Sequence, residues 1–201
     1  RVGMVLYTRM VAEISMGAYA VHAVCMNFCD FYYQFAGGLG KGSMVQSGQA
    51  HGASDPLRWR SQLFEALRWG FFFSCIAFCL TVLLREPIFQ IYTADASLLP
   101  MGTVILLFVA VVSFPEAHQL IAAGALRGVG MTTHVAVYSF VSIVLLRPLL
   151  TAFFLYVLDM GLVGAWCALA IDQFLRAGAA SALLWRYARR QQRIAEVKAL
   201  P

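Results

Sequence analysis

Charge is scarce in this sequence. Lys, Arg, Asp and Glu supply 12% of its 201 residues, against 61% hydrophobic residues, and mean hydropathy is +0.73. A soluble domain carries roughly a quarter charged side chains and about half apolar ones. The apolar excess is too large for one soluble core, so lipid must solvate much of the surface. Motifs for phosphate and metal chemistry are missing as well. There is no Gly-rich phosphate loop with its lysine, no HExxH and no paired CxxC. His22, His51, His118 and His134 stand without a nucleophile at a diagnostic spacing. These gaps exclude the familiar enzyme constellations and any resident cofactor, and uphill transport by such a chain would draw on an ion gradient. No charged-then-apolar leader precedes the first apolar run, and the first residue is Arg1, from which the chain is expected to lack its natural N-terminus.

Cysteine gives no framework either. The five cysteines are odd in number and lie inside apolar stretches, which argues against structural disulfides. Cys25 and Cys29, one helical turn apart and near His22, lack the further ligands a metal would need, so they read as small buried apolar residues. The formal net charge of +5 does not point to nucleic acid, because the basic residues lie between or after apolar runs. A Lys/Arg bias at helix ends is the signature of membrane topology.

What is abundant is apolar sequence in long stretches, at residues 2–14, 18–44, 63–84, 98–125, 135–158 and 162–185. A hydrocarbon layer of ~30 Å needs about 20 mostly apolar helical residues. The expected fold is therefore an all-α integral membrane protein, a six-helix transmembrane bundle, followed by a basic tail over residues 186–201. Turn chemistry separates the stretches. Ser15-Met16-Gly17 makes a tight connection. Asp55-Pro56 reads as an N-cap with proline at the first helical position. Glu86-Pro87 and Thr93-Ala94-Asp95 bound a longer connection, with Asp95 as a cap for the next helix; Gly128-Val129-Gly130 and Asp159-Met160-Gly161 close the remaining gaps. If loops alternate sides, one side collects Arg58, Arg60, Arg127, Arg186, Arg189, Arg190, Arg193 and Lys198, and the other Arg85 and little else. That asymmetry places the tail in the cytoplasm, where it can also meet anionic lipid.

Ionisable groups at bilayer depth cost about 2.5–3.5 kcal/mol on insertion scales, so each needs a partner, a cavity or a purpose. On the second stretch, steps of three and four residues join Ala23, Asn27, Asp30, Gln34, Gly37 and Lys41 into one stripe. The stripe is either an interhelical hydrogen-bond seam or a cavity wall. Gly37, Gly38, Gly40 and Gly42 permit close packing or a bend. The fourth stretch holds Pro115, Glu116 and Gln119 far from either end. Glu116 reads as a proton or Na⁺ site or, equally compatible with its position, as a neutral hydrogen-bonded carboxyl. Asp172 and Arg176 are spaced for an intrahelical ion pair, as are Arg9 and Glu13, and Glu65 and Arg68 can pair near a helix end. Arg147, just before Pro148, has no local partner and calls for a carboxylate on a neighbouring helix.

Several segments resemble the MATE (multidrug and toxic compound extrusion) family. Gln46-Ser47-Gly48-Gln49-Ala50-His51-Gly52-Ala53-Ser54-Asp55-Pro56 is similar to its "VGQ-x-LGAGDP" loop. Ala122-Ala123-Gly124-Ala125-Leu126-Arg127-Gly128-Val129-Gly130-Met131-Thr132 is similar to its "GALRGAGDT" segment. Arg85 to Phe89 with Tyr92 to Asp95 resembles an extracytoplasmic connection, and Gly161 to Trp166 with Asp172, Gln173 and Arg176 resembles the final helix. Val2 to Arg9 and Cys25-Met26-Asn27 look like the bacterial drug-exporter branch. The resemblance implies the C-terminal half of a twelve-helix protein whose two six-helix lobes form a V-shaped cleft in the bacterial plasma membrane. It implies efflux of amphipathic or cationic small molecules in exchange for Na⁺ or H⁺, with an N-terminal lobe as partner. It places Glu116 where some members carry an acidic cation-binding residue. Met131 departs from the usual Asp of its segment, which suggests a differently capped loop, and Asp30 is an unusual acid. Expected substrate or ion contacts are Asn27, Asp30, Gln34, Glu116 and Gln119; Lys41, Pro115, Arg147, Asp172 and Arg176 are expected in structural or gating roles. Two other readings stand beside efflux. One is a lipid or oligosaccharide-lipid flippase of the same superfamily, and the other is a non-transporting membrane scaffold.

Overall fold

A computed structural model describes residues 2–92 and 95–198. Its six main helices are α1 (Val2–Ala12), α2 (Met16–Gly52), α3 (Pro56–Tyr92), α4 (Leu99–Gly128), α5 (Thr132–Val157) and α6 (Gly161–Lys198). Among the described residues there is no strand. α3, α4, α5 and α6 are long and apolar enough to cross a bilayer. α1 has only 11 residues, and α2, though long enough, is too polar along its length to match those four in apolar character.

Local chemistry sets the helix ends. Ser15 Oγ accepts from the Ala18 amide at 3.0 Å and caps α2, and Asp55 Oδ1 accepts from the Arg58 amide at 2.9 Å at the start of α3. Ser54 and Asp159 take positive φ, as do Gly130 and Gly161, so the α2–α3, α4–α5 and α5–α6 connections turn within a few residues. α2 does not stop at the end of its apolar run but continues as helix through Gly52. At 1.5 Å per residue, 37 residues span roughly 55 Å, well beyond the ~30 Å hydrocarbon layer. Beyond Trp185, α6 likewise carries the basic sequence as helix up to Lys198.

Glu86-Pro87 does not end a helix, contrary to expectation: α3 runs through Pro87 to Tyr92. Proline removes one backbone donor and so frees only the Leu83 carbonyl. Phe89, buried two residues on, seats its ring against Gly102 of α4 and holds the last turns in place. Asp95 caps the single 3₁₀ turn Ala96–Leu98 instead of α4 itself, accepting from the Ser97 amide at 2.9 Å and the Ser97 hydroxyl at 2.7 Å. These bonds hold its carboxyl below the usual aspartate range.

α4 is the central helix, packed by α2, α3 and α6. Lipid gives helices no hydrophobic reason to associate, so close packing and polar bonds must hold them together. The α2–α4 seam meets that need with glycine. Gly124 lies on the backbone of Gly40, and Gly128 on that of Met44 and Gly48, with no room for a side chain. Of the α2 glycines, Gly40 and Gly48 serve the seam, while Gly37, Gly38 and Gly42 face open space. Gly3 of α1 meets the backbone of Ile143 in the same way, where α5 widens into a π-helical segment, Val141–Leu146.

Candidate polar layer and open stripe

Two apolar clusters divide the bundle. One gathers Tyr7, Val21, Cys25, Ile105, Val109 and Trp166 near one end. The other gathers Ala50, Trp59, Ala122, Leu126, Val135 and Leu184 near the opposite end. The intervening level of α4, α5 and α6 holds buried Ser113, Glu116, Gln119, Ser142, Arg147, Asp172, Gln173 and Arg176. The order follows from the sequence: on α4 the polar residues fall between Val112 and Ala122, and on α6 between Leu169 and Ala180.

Asp172 is the hub of this layer and is fully buried. Arg147 reaches it from α5, with Nε 2.9 Å from Oδ2 and Nη2 bonded to the same oxygen. Ser142, also on α5, donates to Oδ1. Arg176 lies one turn along α6 with Nε 3.5 Å from Oδ2. The i,i+4 spacing thus exists, but the shorter contacts come from Arg147, the residue that lacked a local partner. π-Helical segments flank the α-helical turn Arg147–Ala152, and Pro148 gives no amide to the turn that carries Arg147. Thr151 Oγ1 donates to the Arg147 carbonyl at 2.8 Å, and the Arg147 guanidinium lies 6.0 Å from the centre of the Tyr7 ring.

Glu116 joins the layer indirectly. Arg176 Nη2 donates to Gln173 Oε1 at 2.6 Å, and Gln173 Nε2 donates to Glu116 Oε1 at 3.3 Å. Among the described residues Glu116 enters no ion pair, although it is only 7% exposed. Its electrostatic neighbours are Arg176, Arg147 and Asp30. Within the layer itself two guanidiniums face one paired carboxylate, so an ionised Glu116 would balance it, while the exposed Asp30 of α2 adds its negative charge from outside. α4 passes Pro115 as one helix. Ser74 of α3 donates to the Ser113 carbonyl at 3.0 Å, which ties α3 to α4 two residues before that proline. Gln119 is buried one turn beyond Glu116.

The α2 stripe lies elsewhere. Asn27, Asp30, Gln34 and Lys41 are all exposed, and among the described residues none makes a hydrogen bond or ion pair. The opposite line of α2, through Cys25, Cys29, Ala36, Gly40 and Ser47, is the one buried. The structure thus brings Glu116, Arg147, Asp172 and Arg176 into one buried layer and leaves the four α2 residues outside it.

Ser113, Ser142 and Gln173 were the members to which sequence reasoning assigned no role, and for Ser113 nothing in its spacing marked it. The other two had a signal: Gln173 adjoins Asp172 on the inward line of α6, and Ser142 stands five residues before Arg147, about one wide turn of α5. Cys25 and Cys29 are buried, as is His22, whose ring packs edge-on between Tyr7 and Trp166. Among the described residues no group of His, Cys, Asp and Glu is arranged to hold a metal ion.

The fold aligns with solved transporters. TM-scores are 0.87 to "Outward-facing conformation of a multidrug resistance MATE family transporter of the MOP superfamily" and 0.88 to "Crystal structure of MATE in the bent conformation". The first covers 95% of this chain and 43% of the solved one at 12% identity; the second covers 96% and 43% at 11% identity. In sequence, the chain is 34% identical over 168 residues to the "Probable multidrug resistance protein NorM" of Chromobacterium violaceum, covering 81% of this chain and 36% of that protein. It is 29% identical over 133 residues to the "Multidrug resistance protein NorM" of Vibrio cholerae, covering 66% and 29%. It therefore spans about a third of the length of the curated relatives it matches. The MatE family profile matches residues 2–153, and on that match the chain belongs to the MatE family.

Proposed function

We propose that this chain is one lobe of a secondary transporter that exports small amphipathic or cationic molecules in exchange for Na⁺ or H⁺ moving down its gradient. The observation that carries the reading is the open face of α2. A helix glued to α4 by its glycines presents Asn27, Asp30, Gln34 and Lys41 on its other side, where lipid would solvate neither an aspartate nor an amide. Such a face calls for a water-filled cleft closed by a second lobe, as the lobes of an alternating-access transporter close on a central site. On this reading the stripe forms one wall of the cleft. The basic helix ends at Arg58, Arg60, Arg127, Arg186, Arg189, Arg190 and Arg193 lie on the cytoplasmic side of a bacterial plasma membrane.

Glu116 is the ion-responsive group of this proposal. It is the carboxyl of the buried layer held by an amide instead of an arginine, so its charge can change without breaking the Arg147–Asp172 pair. A proton or Na⁺ would satisfy it in one state of the cycle, and exchange would follow when the cleft opens. In the full-length protein, Glu116→Gln should retain folding but lose ion-coupled efflux, because an amide keeps the bond to Gln173 without titrating. Glu116→Asp should keep part of the activity. The assay is efflux of a fluorescent cation from proteoliposomes under an imposed Na⁺ or H⁺ gradient. Normal efflux by Glu116→Gln with unchanged ion dependence would reduce Glu116 to a neutral hydrogen-bonding group.

A further inference from the structure

The basic end of the bundle holds a pocket that neither the polar layer nor the α2 stripe uses. It measures about 560 Å³ and lies where the end of α2, the α4–α5 turn and α6 converge. Its cations are Arg186 and Arg190, and the imidazoles of His51 and His134 line it beside them. Tyr187 joins them, its hydroxyl 2.9 Å from His51 Nδ1. The first turn of α5 opens on the same space through Met131 and His134, and no side chain caps it. The amides of that turn lack an intrahelical acceptor, and the positive end of the helix dipole lies beside them. This is the position at which Met131 departs from the segment's usual aspartate. The nearby acid, Asp55, is engaged at the start of α3.

The pocket does not end in water on every side. A second, mostly apolar groove of about 480 Å³ runs between α5 and α6, lined by Val137, Ala179, Ala182 and Leu183. His134 and Arg186 line both spaces, which therefore lie side by side. A basic, uncapped pocket adjoining an apolar groove between α5 and α6 matches a molecule with a phosphate at one end and an acyl chain at the other.

We infer that the α4–α5 turn and α6 form a binding site for one anionic phospholipid, with its phosphate among Arg186, Arg190, His134 and the first amides of α5. One acyl chain lies along Val137, Ala182 and Leu183. The site is independent of the transport cycle proposed above. Its occupant would supply the negative charge that the α5 N-terminus lacks and would pin the α5–α6 pair at the membrane surface.

The test uses the full-length protein, delipidated in detergent, with phosphatidylglycerol or phosphatidylcholine of identical chains added and retention read by native mass spectrometry. Phosphatidylglycerol should remain as a single adduct while phosphatidylcholine is stripped. Arg186→Ala with Arg190→Ala should weaken retention about thirtyfold, at roughly 1 kcal/mol for each basic residue near an anionic surface. Arg189→Ala is the control, because that guanidinium lies over the Trp185 ring at 3.6 Å and does not line the pocket. Ala182→Trp fills the groove from an exposed position. It should remove phosphatidylglycerol while leaving protection by inorganic phosphate in a thermal-shift assay unchanged. Equal retention of the two lipids, or full retention by the double alanine variant, overturns the site. Inorganic phosphate protecting as well as phosphatidylglycerol, with Ala182→Trp silent, overturns the lipid assignment in favour of a free-phosphate pocket. Should the double alanine variant fail to fold, Ala182→Trp carries the same decision.

Discussion

Asp172 and Asp30 both lie well inside long helices, and their surroundings differ completely. Asp172 is fully buried, gripped by Arg147 and Ser142 from α5 and flanked by Arg176 on its own helix. Asp30 is exposed and makes no hydrogen bond or ion pair among the described residues. In a membrane protein the first arrangement is complete within the lobe. The second is complete only if water or another surface meets it. The comparison separates polar residues that build the lobe from those available to act at its face.

The largest effect expected from breaking this contrast lies in the buried layer. Arg147→Ala should destabilise the protein by about 3–5 kcal/mol, because it leaves Asp172 buried without its principal cation. Thermal unfolding in detergent measures this loss, and Arg147→Ala combined with Asp172→Ala should recover part of it. A double variant no better than the single one would mean that the pair acts through shape and not charge. On the open stripe, Asp30→Asn and Gln34→Ala should change stability by less than about 0.5 kcal/mol, the usual range for surface positions, while altering efflux of cationic substrates. A stability loss as large as that at Arg147 would place the stripe in an internal seam.

The smallest effect concerns Asp95, outside the apolar spans. Its folded-state pKa is lowered by the two bonds from Ser97. The stability it contributes is therefore present above the unfolded aspartate value of about 3.9 and is lost as pH falls through the lower folded value. Carboxyl NMR titration should give a midpoint below that of an ordinary aspartate, and Ser97→Ala should move it back up. A midpoint already at the ordinary value would remove the cap.

How much of this was legible in the sequence depended on whether the information was local. Helical spacing assembled the α2 stripe correctly but could not say which neighbour, if any, faces it. The Asp172–Arg176 spacing was visible, yet the shorter contacts to Asp172 come from α5, because an i,i+4 rule knows only one helix. Arg147 showed the limit from the other side: with no local partner at bilayer depth it had to find a carboxylate elsewhere, and that carboxylate is Asp172. The π-helical segments around Arg147 left no mark in the sequence beyond Pro148. Hydropathy marked the apolar runs of α2 and α6 but not their helical ends, because a helix continues into water as long as its backbone bonds are made. Pro87 misled because one missing donor matters less than the Phe89 ring packed on Gly102.

The central claim is that α2 presents its polar face to a water-filled cleft while Gln173 and the Arg147–Asp172 pair stay sealed inside the lobe, with Glu116 the one group of their layer that exchanges an ion. Cysteine accessibility tests it directly. In full-length protein with its native cysteines replaced, single cysteines at Gln34 and Gln173 would be exposed to a small, water-soluble thiosulfonate reagent in proteoliposomes. The account predicts rapid labelling at Gln34, slowed by a transported cation, and essentially none at Gln173 in the folded protein. Labelling at Gln173 as fast as at Gln34, or none at Gln34 in any transport state, would contradict it.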